Sequence, residues 1–328
     1  YTAALVENPN AAHVCSNIGI LHAMQRDHQA AIRFYERAIA LDPDSLGARW
    51  NKSISLLAMG NYKRGWEAYE TRSKKQVTHR ALVAAQSAQV LLLVPEPLHA
   101  ICATLASKPL VYSDEKDLPE FDAHCPLMSL PYALGTVVEN IPNDVPYLFP
   151  DPRKVKVWHD LIGQPGLLKV GLVWNGGFHP ERPGVWGVNS RRDIPLELLK
   201  GLGLPGVQLY SLQKGIEQRD RSRFVGPDMV DYAEQLNDFS DTAAFIENLD
   251  LVVSVDTAVA HLAGAIGKPV WILNRFDSCW RWFVDRSDSP WYPTARLYNQ
   301  PKLGDWDSVV ARVSADLEKH IRTKGSTP

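Results

Sequence analysis

The most constraining feature of the chain is an interval of 34 residues at its amino-terminal end. Tyr1, Tyr35 and Tyr69 recur at that spacing, and so do the pairs Ala4/Ala38, Pro9/Pro43 and Asn17/Asn51. The small residues Ala31 and Gly65 stand at matching places. Several matches in one register mean a structural repeat, a supersecondary unit that buries its apolar face only against a neighbour. Residues 13–26 read as one helix, and the chain breaks near Asp27. Residues 29–41 read as a second helix closed by Asp42-Pro43, because proline cannot continue it. Gly19, Ala31 and Ala38 are small enough to let the two helices approach closely.

This pattern resembles the tetratricopeptide repeat, with Gly19, Ala31, Tyr35, Ala38 and Pro43 on its consensus positions. The second copy departs from it: Ser53 stands where glycine is usual and Arg72 where alanine is usual. Arg72 predicts that the array ends there, giving a repeat domain over residues 1–72. Tyr1 and Ala4 match the middle of a second helix, so residues upstream of Tyr1 are expected. Asn17 and Asn51 occupy the same place on successive first helices, which line the concave side of such arrays. A primary amide both donates and accepts, so a column of them suits an extended peptide acceptor. The alternative is that asparagine is simply common at this position.

Composition narrows the function. Thirty-five Lys and Arg against 37 Asp and Glu leave a formal net charge of −2, with no global attraction to nucleic acid or anionic lipid. Four cysteines, none in a C-x-x-C spacing, argue against a disulfide scaffold or a zinc module and for a reducing compartment. Residues 1–10 lack a basic start followed by an apolar run. The best candidate span, residues 251–273, is interrupted by Asp256, His261 and Lys268. A cytoplasmic location is expected, with no membrane span and no nucleic-acid partner.

After Arg72 the helical period stops. Residues 89–94 form a short apolar run ending at Pro95, which suits a buried parallel strand, and residues 98–106 a helix. Residues 121–124 read as a strand end, 127–134 as a helix, and the proline-rich 144–152 as a linker. Two or three strands over residues 73–150 are too few for a doubly wound domain. Either the domain is a fragment or a piece is missing between Arg72 and Ala81, and the second option fits the truncated first repeat.

From residue 168 the alternation is clear. Strands are predicted over 169–174, 207–212, 251–255, 269–273 and 295–298, and helices over 196–202, 242–249, 258–266 and 306–321. Continuous apolar strands alternating with helices mean a parallel sheet covered on both faces. Ligands bind such sheets beyond the carboxyl ends of the strands. The candidates are therefore Asn175 and Gly176 after the first strand, Gln213 and Lys214 after the second, and Asp256, Thr257, Ala258 and His261 after the third. Glycine admits close backbone approach, lysine supplies a point charge for an anion, and a helix start offers free N–H groups to phosphate. Asp256 would repel phosphate in contact with it and is suited to capping or to sugar hydroxyls. The aromatic stretch 276–293 suits either a sugar or base platform or a plug between domains. There is no G-x-G-x-x-G after a strand, no P-loop and no H-x-x-x-H pair, so a dehydrogenase and metal catalysis lack support.

The runs Ser240-Asp241-Thr242-Ala243-Ala244, Leu249 to Thr257, Ala260 to Ala265 and Gly267-Lys268-Pro269-Val270 resemble the donor-binding half of heptosyltransferase-like glycosyltransferases. With the repeats in front, the chain is similar to bacterial relatives of the O-GlcNAc transferase architecture. The resemblance implies a GT-B fold: two Rossmann-like domains, here 73–150 and 151–328, with the nucleotide-sugar held by the second. It places Gln213 and Lys214 near the donor diphosphate, and Asp256, Thr257, Ala258 and His261 on the donor-binding turn. It implies inverting transfer to a protein or small-molecule acceptor, with no metal and no cofactor. The family's glycine-rich loop with an acidic base is missing from this sequence, and His124 is the substitute candidate for base or acceptor contact. The same architecture without turnover, a binding scaffold, is the alternative.

Overall fold

The computed structural model describes residues 2–75, 82–86, 89–163, 166–177, 186–215 and 229–324. The chain divides into two compact units that interleave along the sequence. The first is Tyr1–Val94, Tyr112–Pro142 and Phe276–Arg286, and the second is Pro95–Val111, Asn143–Arg275 and Ser287–Pro328.

The first unit opens with helices α1 (Thr2–Glu7), α2 (Ala12–Met24), α3 (His28–Leu41), α4 (Leu46–Ala58) and α5 (Tyr62–Tyr69). Asp27 starts α3 by accepting the Ala30 N–H at 2.9 Å, which satisfies one of the orphan donors of a first turn. Gly19 is obligatory, since a Cβ there would lie 2.5 Å from the ring of the buried Tyr35. Ser53, at the matching place, is buried and turns its hydroxyl onto the Trp50 carbonyl at 2.6 Å. After α5 the chain continues as a short 3-10 helix, Glu70–Lys75, that carries Arg72. Arg72 is 3% exposed, so its charge must be partnered. It meets Glu70 at 2.5 Å, the Tyr69 carbonyl at 3.3 Å, the Ser129 hydroxyl and the Tyr69 ring.

The aromatic stretch divides in two, and its first part serves the repeats. Within the first unit, Trp280 meets Trp66 edge-on at 5.1 Å and Phe283 stacks on Tyr62 at 5.6 Å. Asp285 pairs with Arg26 at 2.5 Å. Terminal repeats need a cap over their apolar face, and residues 276–286 supply it.

A four-stranded sheet follows, formed by β1 (Leu82–Gln86), β2 (Gln89–Leu93), β3 (Leu110–Tyr112) and β4 (Ala123–Pro126) in the order β3-β2-β1-β4. Helix α6 (Glu96–Cys102) lies between β2 and β3 in sequence, and the short α7 (Leu130–Ala133) follows β4. Residues 89–94, read from the sequence as a parallel strand, give β2, which pairs antiparallel with β1 on one side, as β4 does. An apolar run does not encode strand direction; the close spacing of β1 and β2 does. The gap expected between Arg72 and Ala81 falls on residues described only to Lys75, and the rest lies outside the described residues.

The second unit carries α8 (Pro152–Ile162), β5 (Leu168–Val173), α9 (Trp186–Arg192), α10 (Leu196–Leu199), β6 (Val207–Ser211) and β7 (Met229–Asp231). It continues through α11 (Phe239–Glu247), β8 (Leu251–Val255), α12 (Ala258–Ala265), β9 (Val270–Asn274), β10 (Ala295–Asn299) and α13 (Trp306–Lys324). The strands form one parallel sheet in the order β10-β9-β8-β5-β6-β7. One face packs Leu199, Leu202, Trp306, Val309, Val313 and Leu317 against Val170, Leu172, Val253 and Leu273. Elsewhere in the unit, an aromatic cluster joins Trp158 of α8, Tyr210 of β6 and Phe245 of α11. A helical repeat region followed by an α/β domain with a parallel sheet is thus the fold. No helix among the described residues is long and apolar enough to cross a membrane.

Candidate active site

The strand order locates the site before any side chain is considered. From β5 the chain adds β6 and β7 on one side, then crosses back and adds β8, β9 and β10 on the other. The order reverses between β5 and β8, and crevices at such switch points are where open α/β sheets take ligands. A cavity of about 380 Å³ opens at these carboxyl ends. Its lining includes Asn175 and Gly177 after β5, Gln213 and Lys214 after β6, and Thr257, Ala258 and Val259 after β8. Asn237, Asp238, Phe239 and Thr242 at the start of α11 complete it with Pro97 of α6.

The helix starting at Ala258 is open at its amino end. Thr257 is its N-cap in extended conformation, but its side chain makes no cap bond and meets the Ser254 hydroxyl at 3.0 Å instead. The N–H groups of Ala258 and Val259 have no partner among the described residues. They and the positive end of the helix dipole border the cavity. The start of α11 differs: Asp238 caps it by accepting the Asp241 N–H at 2.7 Å. Lys214 borders the same cavity, with its ammonium group on the Leu236 carbonyl.

Other expected residues have different surroundings. Gln213 is 5% exposed, and its side-chain oxygen accepts the N–H groups of Trp174 at 3.1 Å and Asn175 at 2.9 Å. Its amide nitrogen donates to the Lys214 carbonyl at 3.1 Å. It ties the β5 exit to the β6 exit. Gly176 is not among the lining residues; a Cβ there would lie 1.5 Å from the Arg192 guanidinium. Asp256 and His261 also stand outside the lining. His261 faces the Tyr292 hydroxyl at 3.0 Å through Nδ1 and the Asp256 carboxylate at 3.8 Å through Nε2. Tyr292 reaches it by lying flat over Gly264, where a Cβ would come within 2.5 Å of the ring. His124 is exposed on β4 in the first unit, with its ring edge-on to Phe121. Asn17 and Asn51 are half-buried on α2 and α4, and neither amide has a hydrogen-bond partner among the described residues.

Sequence reasoning missed Arg192. It ends α9, donates to the Asp256 carbonyl at 2.8 Å and to the Asn189 side chain at 2.7 Å, and fills the space above Gly176. The neighbouring Asp193 accepts the Gly176 N–H at 2.8 Å; burial pushes its carboxyl above the usual range, against the pull of that bond and of Arg192. The one trace in the sequence is Gly176 itself, a glycine where something must approach the backbone.

Two segments of the chain match known protein families. Residues 12–45 match the tetratricopeptide repeat family, and residues 236–273 match glycosyltransferase family 9 (heptosyltransferase). The second match covers α11, β8, α12 and β9 as far as Leu273, and the starts of α11 and α12 within it form much of the cavity wall; it supports glycosyl transfer. Among known proteins the chain is similar to Protein FlbA of Caulobacter vibrioides, with 23% identity across 96% of this chain and 68% of the relative. Among solved structures it is similar to a family 9 glycosyl transferase from Veillonella parvula, with 12% identity, 54% of this chain and 52% of that one covered, and a TM-score of 0.37. An Escherichia coli ADP-heptose LPS heptosyltransferase II gives 15%, 66% of each chain and 0.39. A mutant Thermobaculum terrenum O-GlcNAc transferase gives 13%, 91% and 52%, and 0.28. The chain thus spans about half the length of the first and third of these structures and 66% of the second.

Proposed function

We propose that the chain is an inverting, metal-independent glycosyltransferase whose donor is a nucleotide-sugar and whose acceptor is a protein or a small molecule. The observation that carries the reading is the cavity at the switch point, walled by the family 9 segment and bordered by the open start of α12 and by Lys214. In the reaction the acceptor hydroxyl oxygen attacks the anomeric carbon. The bond from that carbon to the diphosphate oxygen breaks with its electron pair on the oxygen, and the hydroxyl proton passes to a base. The developing charge on the diphosphate is met by the Ala258 and Val259 N–H groups, oriented before the reaction, and by the Lys214 ammonium on leaving the Leu236 carbonyl.

His124 is the candidate base in this reading, and Asn175, Gly176, Gln213, Asp256 and His261 hold or support the donor. Asn17 and Asn51, with amides not used inside the fold, suit a peptide acceptor. Calorimetry with a panel of nucleoside diphosphates tests the donor site. Binding by the wild type, weakened about tenfold or more in Lys214→Ala, is expected; equal binding by the two proteins sinks the mechanism. His124→Ala is expected to abolish turnover and to leave nucleotide binding intact. Asn17→Ala with Asn51→Ala is expected to raise the KM for a peptide acceptor and spare that for the donor.

One observation favours a second reading, a binding scaffold without turnover. Among the described residues, the sheet formed by β1 to β4 has four strands with antiparallel pairs, short of a complete doubly wound domain. Nucleotide binding without sugar transfer to any acceptor is the outcome that reading expects.

A further inference from the structure

We infer that Arg192 is a positioning residue that sets the width of the donor cavity by joining its two walls at the switch point. The inference rests on the donor-site reading above. The β5 exit supplies Asn175 and Gly177 to one wall, and the β8 exit supplies Thr257, Ala258 and Val259 to the other. The two strands are paired up to Val173 and Ser254, and beyond that the sheet ladder no longer holds their exits together. Arg192 takes over there. Its Nη1 donates to the Asp256 carbonyl at 2.8 Å, one residue before the N-cap of α12. Its Nη2 donates to Asn189 Oδ1 at 2.7 Å, and Asn189 in turn donates to the Gly177 carbonyl at 3.2 Å. The guanidinium lies so close over Gly176 that no side chain fits.

Two further bonds fix the same segment to the β5 exit. Gly176 donates to Asp193 at 2.8 Å, and the Ile194 N–H donates to the Trp174 carbonyl at 3.0 Å. The stretch 189–194 therefore clamps one wall through its backbone and side chains, and reaches the other through one guanidinium. A planar fork with several donors can serve both directions at once; an ammonium group on a flexible stem cannot. Arg192 is not among the residues lining the cavity, so it acts through the backbone it holds.

The test is calorimetry with UDP, GDP and ADP, together with amide hydrogen exchange and thermal melting, on the full chain. Arg192→Ala is expected to weaken the nucleotide that binds by about tenfold and to speed exchange at residues 174–177 and 257–260. Gly176→Ala is expected to do the same with Arg192 still present, because its Cβ would displace the guanidinium. The double variant is expected to be no worse than either single one, as for two changes that break one contact. Arg192→Lys is expected to recover little of the affinity. Lys268→Ala is the control for stability: it removes another cation-to-carbonyl bond, from Lys268 Nζ to the Glu247 carbonyl at 2.6 Å, near the opposite end of α12. It is expected to lower the melting point and leave binding unchanged. Full recovery by lysine, or equal binding by Arg192→Ala and the wild type, overturns the positioning role while the donor reading stands. A parallel loss in Lys268→Ala also overturns the role, since binding would then follow stability alone. A wild type that binds no nucleoside diphosphate overturns the donor reading and this inference with it.

Discussion

Gln213 carries two consequences of burial at once. Its side-chain oxygen is the acceptor for two N–H groups that leave the sheet ladder where β5 ends, those of Trp174 and Asn175. Gln213→Leu keeps the approximate volume and leaves both donors without a partner. A buried unsatisfied group costs about 1–3 kcal/mol, so urea unfolding should show a loss of at least that size. Gln213→Glu keeps an acceptor and should lose less. The sequence placed Gln213 correctly beyond a strand but did not reveal the two N–H groups it serves, because its position says nothing about where the amide points. The partner of a buried amide is set by the register of two strands separated by some 35 residues of chain, Leu172 against Ser211. Local pattern does not contain that register. Arg192 was illegible for the same reason, whereas Gly19 was legible because the ring it admits, Tyr35, sits in the same repeat.

At the scale of elements, legibility followed length and apolar character. Strands β5, β6, β8, β9 and β10 fall within a residue of their predicted bounds, since buried parallel strands are continuous apolar runs. Short β7, with three residues, gave no period to detect, and helix α8 was hidden behind a proline that serves as its first residue rather than as a linker. Helix α8 is held to α11 by Lys154, whose ammonium lies 2.6 Å from Asp241 and 3.6 Å from Asp238. Burial works against ionisation of Asp241, but the Lys154 bond and the Asn237 donors outweigh it, so its carboxyl titrates below the ordinary 3.8. A carboxyl depressed on folding contributes stability above its unfolded value and loses that contribution as the pH falls through the folded one. Lys154→Met should therefore cost about 0.5–1 kcal/mol at neutral pH, the range for a partly exposed pair. The difference from wild type should shrink steadily below pH 3.8 in thermal melts across that range. A difference independent of pH would mean that Lys154 acts through its packing alone.

The molecule as a whole is less modular than a repeat followed by a catalytic domain suggests. Residues 276–286 belong to the first unit, yet they leave the chain between β9 and β10 of the second. They bring Trp280 and Phe283 to Trp66 and Tyr62, which are 2% and 1% exposed. A solenoid with an uncovered apolar end is unstable in water, and this cap comes from more than two hundred residues downstream of the helices it covers. A fragment of residues 1–142 would keep α2 to α5 but lose the cap, exposing two large aromatic side chains side by side. Contiguous exposed apolar surface of that kind drives association. The fragment should bind a hydrophobic dye, show a weaker near-ultraviolet circular dichroism signal than the full chain and aggregate on concentration. A synthetic peptide of residues 276–286 added in trans should reduce the dye signal, and the same peptide with Trp280 and Phe283 replaced by alanine should not. If the fragment alone is monomeric and as resistant to urea as the repeats in the full chain, the aromatic segment is not their cap, and its clustered rings have another purpose.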